Sequence, residues 1–211
     1  MTKLLMILAH PHTTVPSKSL QVAATFKASY QAAHPQDEII VRDLFKTPVP
    51  ALDSTTMTAW MKQKYGKPLT DAENQQLTAH NTWLNEFMTA DKYVFVNPMY
   101  NHFLPAELKQ YIDVTAVARK TFKYTANGPV GLLTNKKALH IQAAGGIYHT
   151  GEQTSVLSMD LGATYLKAAL GLYGITDMTQ LFIEGADQNP DTAAEIVANA
   201  QTQATTLGKT F

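Results

Sequence analysis

Short apolar runs and longer amphipathic segments alternate along the chain. The apolar runs fall at residues 3–9, 38–42, 92–97, 137–143 and 178–183. Each is of strand length and contains no Pro or Gly, and the third is dense in β-branched and aromatic residues, the composition of a buried strand. Between the runs, apolar positions take helical spacing. Residues 18–33 carry Leu20, Ala23, Ala24, Phe26 and Tyr30. Residues 70–90 open on Thr70-Asp71-Ala72-Glu73, a capping box at the right spacing. Residues 106–119 follow Pro105, which suits a first helical turn. Residues 154–172 are rich in Ala and Leu, and residues 191–207 close the chain with Asn189 or Asp191 as cap and Gly208 as stop. A helix-like segment at 54–64 sits inside the least regular stretch, 45–68, among Pro48, Pro50 and Pro68. Its Trp60 and Tyr65 are candidates either to shape a pocket or simply to pack. The alternation predicts an α/β protein: a flavodoxin-like, doubly wound, five-stranded parallel sheet with helices on both faces. In such sheets a ligand lies beyond the carboxyl ends of the strands, at the switch point.

Composition narrows the field. The chain has 211 residues, 45% of them hydrophobic, enough for one core and a single domain over 1–211. Lys plus Arg and Asp plus Glu each total 17, a balance that argues against a nucleic-acid or polybasic-membrane partner. The absence of cysteine removes disulfides, thiolate metal sites and cysteine nucleophiles, and suits a cytoplasmic location. The first apolar run is too short for a signal peptide or a membrane span.

Three loops at strand ends carry the candidate chemistry. Residues 9–20 read Ala-His-Pro-His-Thr-Thr-Val-Pro-Ser-Lys-Ser-Leu. Ser17, Lys18 and Ser19 at a helix start form either a phosphate clamp or ordinary N-caps. His10 and His12 lack a third ligand at a matching spacing, so no metal is assigned. Residues 97–105 place Pro98, Met99, Tyr100, Asn101, His102 and Phe103 between stiffening prolines: a wall for a planar heterocycle, or a tight loop with core aromatics. Gly145 and Gly146 end the fourth apolar run. They allow either close backbone approach to a ligand or a flexible turn. Neither G-x-G-x-x-G nor a P-loop occurs in the first loop, and the terminal Gly208-Lys209-Thr210 lacks the strand and loop a P-loop needs.

With these residues in view, the chain resembles the FMN-dependent NADH:quinone oxidoreductases, the bacterial azoreductase family, within the flavodoxin-like quinone reductases. The resemblance runs over most of the length. It is densest at residues 97–113, around Tyr124-Thr125-Ala126-Asn127-Gly128-Pro129-Val130-Gly131-Leu132, at Gly145-Gly146-Ile147 and at residues 170–177. It implies FMN as cofactor and NADH or NADPH as donor. It implies a phosphate clamp of Ser17, Lys18 and Ser19, with His10 as a further donor. Pro98, Met99, Tyr100 and Asn101 would follow the isoalloxazine edge, and Gly145 and Gly146 would face its pyrimidine end. Tyr124, Phe103 and Tyr148 would line a pocket for a planar acceptor, a quinone or azo compound. The family implies a homodimer. The chain departs from the family pattern at His10, His102, Ala143-Ala144 and Tyr148. One pocket serving donor and then acceptor implies ping-pong kinetics and needs no second nucleotide motif. Backbone N–H groups near Gly145 and Gly146 are the candidates for stabilising charge at the pyrimidine end. Tyr148, His149 and His102 are possible proton donors, beside solvent. The rival reading is a flavodoxin-like FMN carrier or regulatory binding module without NADH-dependent turnover. A phosphatase of the Cys-x5-Arg type is excluded by the lack of cysteine, and no G-x-S-x-G elbow is present.

Overall fold

The computed structural model describes residues 1–149 and 159–211. Five parallel strands form the main sheet: β1 (Lys3–Leu8), β2 (Glu38–Asp43), β3 (Lys92–Pro98), β6 (Lys137–Ala143) and β7 (Asp177–Ile183). Their order is β2-β1-β3-β6-β7. The chain therefore reverses its direction of travel between β1 and β3, and this is the switch point. The five apolar runs are these strands, to within a residue at either end. They read as continuous apolar runs because both faces of the sheet are covered.

Side chains alternate between the two faces. Leu4 and Met6 of β1 and Val94 and Val96 of β3 pack with Val22, Phe26 and Tyr30 of α1 (Lys18–Ala33) and Ala200 and Ala204 of α6 (Ala193–Thr210). Leu5, Ile7, Tyr93 and Phe95 face the other way. They pack with Trp83 and Phe87 of α3 (Asp71–Thr89), Leu108 and Tyr111 of α4 (Ala106–Thr115), and Leu166 and Leu170 of α5 (Leu161–Tyr173). The sixth helix, α2 (Ser54–Lys64), leans on α3 and is capped by Asp53. The Thr70–Glu73 capping box is present at the start of α3.

Four features differ from the sequence reading, each for an identifiable physical reason. Helix α4 ends at Thr115 rather than 119, because the Thr121 hydroxyl takes the Thr115 carbonyl at 2.8 Å and receives the Val117 N–H at 3.1 Å. Helix α5 starts at Leu161, where Asp160 caps the Ala163 N–H at 2.7 Å. Residues 154–158, which the sequence reading gave to this helix, lie outside the described residues. Helix α6 begins after a short 3-10 turn, Pro190–Thr192, and runs through Gly208. Gly208 is therefore no stop. It is a close-approach point, where a Cβ would lie 2.8 Å from the Phe26 carbonyl oxygen of α1. Finally, β4 (Phe122–Thr125) and β5 (Gly128–Gly131) form an antiparallel hairpin apart from the main sheet. Gly131 presses on the left-handed Gly174 that ends α5, and a Cβ there would sit 2.1 Å from the Gly174 nitrogen.

Candidate active site

Because the main strands are parallel, the loops after β1, β3, β6 and β7 open on one edge. After β1, Ser17 caps α1, its hydroxyl accepting the Leu20 N–H at 3.3 Å. The Ser17 and Ser19 hydroxyls are 3.1 Å apart, and Ser19 is buried. The Lys18 and Ser19 N–H groups at the helix start donate to no described residue. Capping therefore leaves donors free for an anion here. The cap occupies one donor, and the remaining N–H groups, with the helix dipole, face outward. Lys18 Nζ is 2.9 Å from Asp187 Oδ1, in the loop after β7.

His10 is buried in the loop after β1, and its Nδ1 accepts the His12 N–H at 2.9 Å. Burial first, and the neighbouring His12 second, push its pKa down, against the opposing pull of Asp43. A neutral ring accepting at Nδ1 carries its proton on Nε2, so His10 retains a donor. His12 Nε2 is 2.6 Å from Asp43 Oδ2. Both imidazoles thus have structural hydrogen bonds at the end of β1.

The loops after β3 and β6 lie next to this. The Met99 N–H donates to the Ala143 carbonyl at 2.7 Å, which ties the loop after β3 to the end of β6. Tyr100 and Phe103 exchange two backbone hydrogen bonds of 2.9 Å across Asn101 and His102. Both central residues are left-handed, with φ of 50° and 62°, as a tight hairpin turn of this kind demands. Non-glycine residues there store strain, and the turn holds the Asn101 N–H unpaired among the described residues. Across from it, the Gly145 and Gly146 N–H groups are likewise unpaired, while their carbonyls are taken by Gly185, Asp187 and Gln188. A Cβ on Gly145 would meet Asp187 at 2.5 Å, and one on Gly146 would meet the Tyr148 ring at 3.2 Å. The loop backbone is pinned from behind with its donors left open.

The other sequence-named residues divide. Tyr148 is half-buried, its ring edge-on to His102 at 5.5 Å. Phe103 is half-buried against Tyr165 at 5.3 Å. Tyr100 remains partly exposed, and burial followed by Glu107 raises its pKa. Tyr124 stands 76% exposed on β4, in edge contact with Phe122. The chain thus brings together the first loop, the 97–103 loop and the glycine pair, and holds Tyr124 out on the separate hairpin. Asp187 and Glu184 were missed by the sequence reading. Their signal was weak: two carboxylates just past the last strand, distant in sequence from every partner.

A flavodoxin-like fold family matches residues 2–207. The FMN-dependent NADH:quinone oxidoreductase 2 of Lactiplantibacillus plantarum is 60% identical over 211 residues, covering all of both chains. The chain belongs to this oxidoreductase family. Another relative in the family, the FMN-dependent NADH:quinone oxidoreductase 1 of Lactococcus lactis subsp. lactis, is 53% identical, again over all of both chains. Among solved structures, the azoreductase from Bacillus anthracis str. Sterne superposes with a TM-score of 0.92 at 35% identity over the whole of both chains. The FMN-dependent NADH-azoreductase from Bacillus anthracis str. Ames Ancestor, in complex with FMN, gives 0.88 at 33% identity, covering 99% of this chain and all of that one. The resemblance read from the sequence is borne out, and these likenesses span the fold and every loop of the candidate site.

Proposed function

We propose that this chain is a single flavodoxin-like domain, 1–211, that holds FMN non-covalently and passes electrons from NADH or NADPH to quinones and azo compounds. The carrying observation is a set of donors on one edge of the sheet that have no partner among the described residues. They are the N–H groups of Lys18 and Ser19 at one end and those of Asn101, Gly145 and Gly146 at the other. The first set, with Ser17, Ser19 and the Nε2–H of His10, suits a phosphate. The second suits the carbonyl and nitrogen edge of a flavin ring. The residues present therefore fit FMN.

Ser17, Lys18, Ser19 and His10 would hold the phosphate. Pro98, Met99, Tyr100 and Asn101 would follow the ring edge, with Gly145 and Gly146 at its pyrimidine end. Bound FMN supplies the redox chemistry, taking a hydride equivalent from the nucleotide and returning it to the acceptor. The chain's part is to aim fixed N–H dipoles at the edge where negative charge grows, without reorganisation cost. A single open face serves donor and acceptor in turn, which gives ping-pong kinetics. Phe103 and Tyr148 would line that face. Tyr124 would complete it from the hairpin of a second copy, because an aromatic so exposed on a rigid hairpin suits burial in a homodimer. Among the described residues no helix is long and apolar enough to cross a membrane, and the cysteine-free chain suits the reducing cytoplasm.

The test is a visible spectrum after FMN addition and desalting, then anaerobic titration with NADH and reoxidation by a quinone. Oxidised-flavin absorbance that bleaches with NADH and returns with quinone is expected. Retained FMN that NADH leaves oxidised would make the chain a carrier. No retained FMN would overturn the reading.

A further inference from the structure

Behind the two ring-edge loops runs a chain of buried polar side chains. In the register of β3 and β6, Asn97 stands opposite Gln142, and His140 lies two residues earlier on the same face. His140 Nε2 donates to Asn97 Oδ1 at 2.9 Å. Asn97 Nδ2 donates to Gln142 Oε1 at 3.2 Å. Gln142 Nε2 donates to Asp160 Oδ2. All four side chains are buried. The direction is fixed at both ends. Asp160 accepts at both oxygens, the second taking the Ala163 N–H at 2.7 Å. His140 is neutral, because burial and then the like charge of His149 push its pKa down to about 3, and a neutral ring that donates through Nε2 has no second proton.

The chain ends on a second cluster. His149 Nε2 is 3.8 Å from the same Asp160 oxygen, and its Nδ1 is 2.7 Å from Glu184 Oε1. The ring lies flat on Phe182, centroids 3.6 Å apart and planes 7° from parallel. Glu184 Oε2 also accepts the Tyr148 and His149 N–H groups, each at 3.1 Å. One carboxylate thus grips the loop after β6 by two backbone hydrogen bonds and one side chain.

We propose that Glu184 and Asp160 are positioning residues that hold His149, and through it the backbone of residues 145–149, in register with Asn97 at the root of the 98–101 segment. The two ring-edge loops then form one rigid unit. The inference rests on the flavin-binding reading above. Hydrogen bonds to the ring depend steeply on angle, so loosening the unit misaims the Gly145 and Gly146 donors. Those donors favour the more negative, reduced ring, so misaiming them costs the reduced state more than the oxidised one. Both FMN affinity and midpoint potential therefore depend on carboxylates set behind the loops.

The experiment uses the full chain. FMN dissociation constants come from fluorescence quenching and midpoint potentials from dye-equilibrated reduction, for wild type, Glu184→Gln, Gln142→Met and the double variant. Glu184→Gln should weaken FMN binding roughly tenfold, the worth of one charge-assisted hydrogen bond, and move the potential to more negative values. Gln142→Met breaks the chain without adding charge and should shift both in the same direction by less. The double variant should fall short of the product of the singles, because both loosen one unit. His149→Phe retains the stack on Phe182 and the two backbone hydrogen bonds to Glu184, and should shift both quantities in the same direction by less than Glu184→Gln, which keeps the test open if Gln142→Met does not fold. Affinity and potential at wild-type values beside a lowered unfolding temperature would reduce the cluster to a structural role and overturn the proposal. So would double-variant effects that simply multiply. A wild-type chain that binds no FMN overturns the flavin reading itself, visibly and before any variant is made, and this inference with it.

Discussion

His140 sits fully buried in the middle of β6, where its neighbours along the strand are Leu139 and Ile141. Its pKa is pushed down to about 3 in the folded chain and stands near 6.5 in the unfolded one. Between those values the unfolded chain binds the proton and the folded chain does not. Stability is therefore full above about pH 6.5 and falls as pH drops toward 3, by about 1.4 kcal/mol per pH unit. His140→Gln retains an N–H for Asn97 and removes the titration. Urea unfolding at pH 7.5 and 4.5 should show the stability difference shrinking by roughly 2–3 kcal/mol in the variant. An unchanged difference would assign the acid sensitivity to other groups. Ser17 makes a separate residue-scale prediction, since it caps α1 and is also proposed to hold the phosphate. Ser17→Ala should cost about 1 kcal/mol of stability through the lost cap and also weaken FMN binding. Thermal unfolding of the FMN-free chain reads the first effect, and a fluorescence titration reads the second. Lost stability with unaltered affinity would leave Ser17 a cap alone.

At the scale of elements, two glycines set how close helices and hairpins come. Gly208 lets α6 lie against α1, where a Cβ would be 2.8 Å from both the Phe26 carbonyl oxygen and the Ser29 Cβ. Two effects oppose each other in Gly208→Ala. Helix propensity favours alanine by about 1 kcal/mol, while overpacking costs about 1–3 kcal/mol. The close neighbours are chiefly backbone atoms, which cannot rotate away, so the clash should win. Chemical denaturation is expected to give a net loss of stability, and a gain would mean that the helices separate easily. Gly131 is tighter still, because its contacts are backbone atoms of Tyr173 and Gly174 at 2.1–2.4 Å. It fixes the hairpin, and with it Tyr124, to the end of α5.

For the whole molecule, a ligand that binds only the folded chain stabilises it. At a hundredfold excess over its dissociation constant FMN should add about 2.7 kcal/mol, a rise in unfolding temperature of roughly 5–10 °C for a chain of this length. Scanning fluorimetry with FMN and with riboflavin separates the sites. Equal shifts from both would show that the Ser17–Ser19 turn does not bind the phosphate. Assembly belongs to the same scale. Sedimentation equilibrium should give twice the chain mass, and Tyr124→Asp should shift the balance toward monomer by placing a charge in the expected interface. A monomeric wild type would remove Tyr124 from the acceptor pocket.

The amino-acid sequence determined what depends on neighbours along the chain. Apolar period and run length marked all five main strands, and capping residues marked the start of α3. The strand-end loops stood out through the 97–103 run, the paired glycines and Ser17-Lys18-Ser19, since each signal is local and chemically distinctive. Tertiary structure decided what depends on residues far apart in sequence. Gly208 read as a stop because a glycine near a helix end usually is one; only the approach of α1 makes it a packing site. The hairpin of β4 and β5 escaped detection because strands of four residues are too short to establish a period. Lys18 meets Asp187, 169 residues away, and Glu184 reaches Tyr148 and His149 only once β6 and β7 pair side by side. Sequence period reports which face of an element is buried, whereas a hydrogen bond across strands reports which element lies beside it, and that is settled only when the sheet forms.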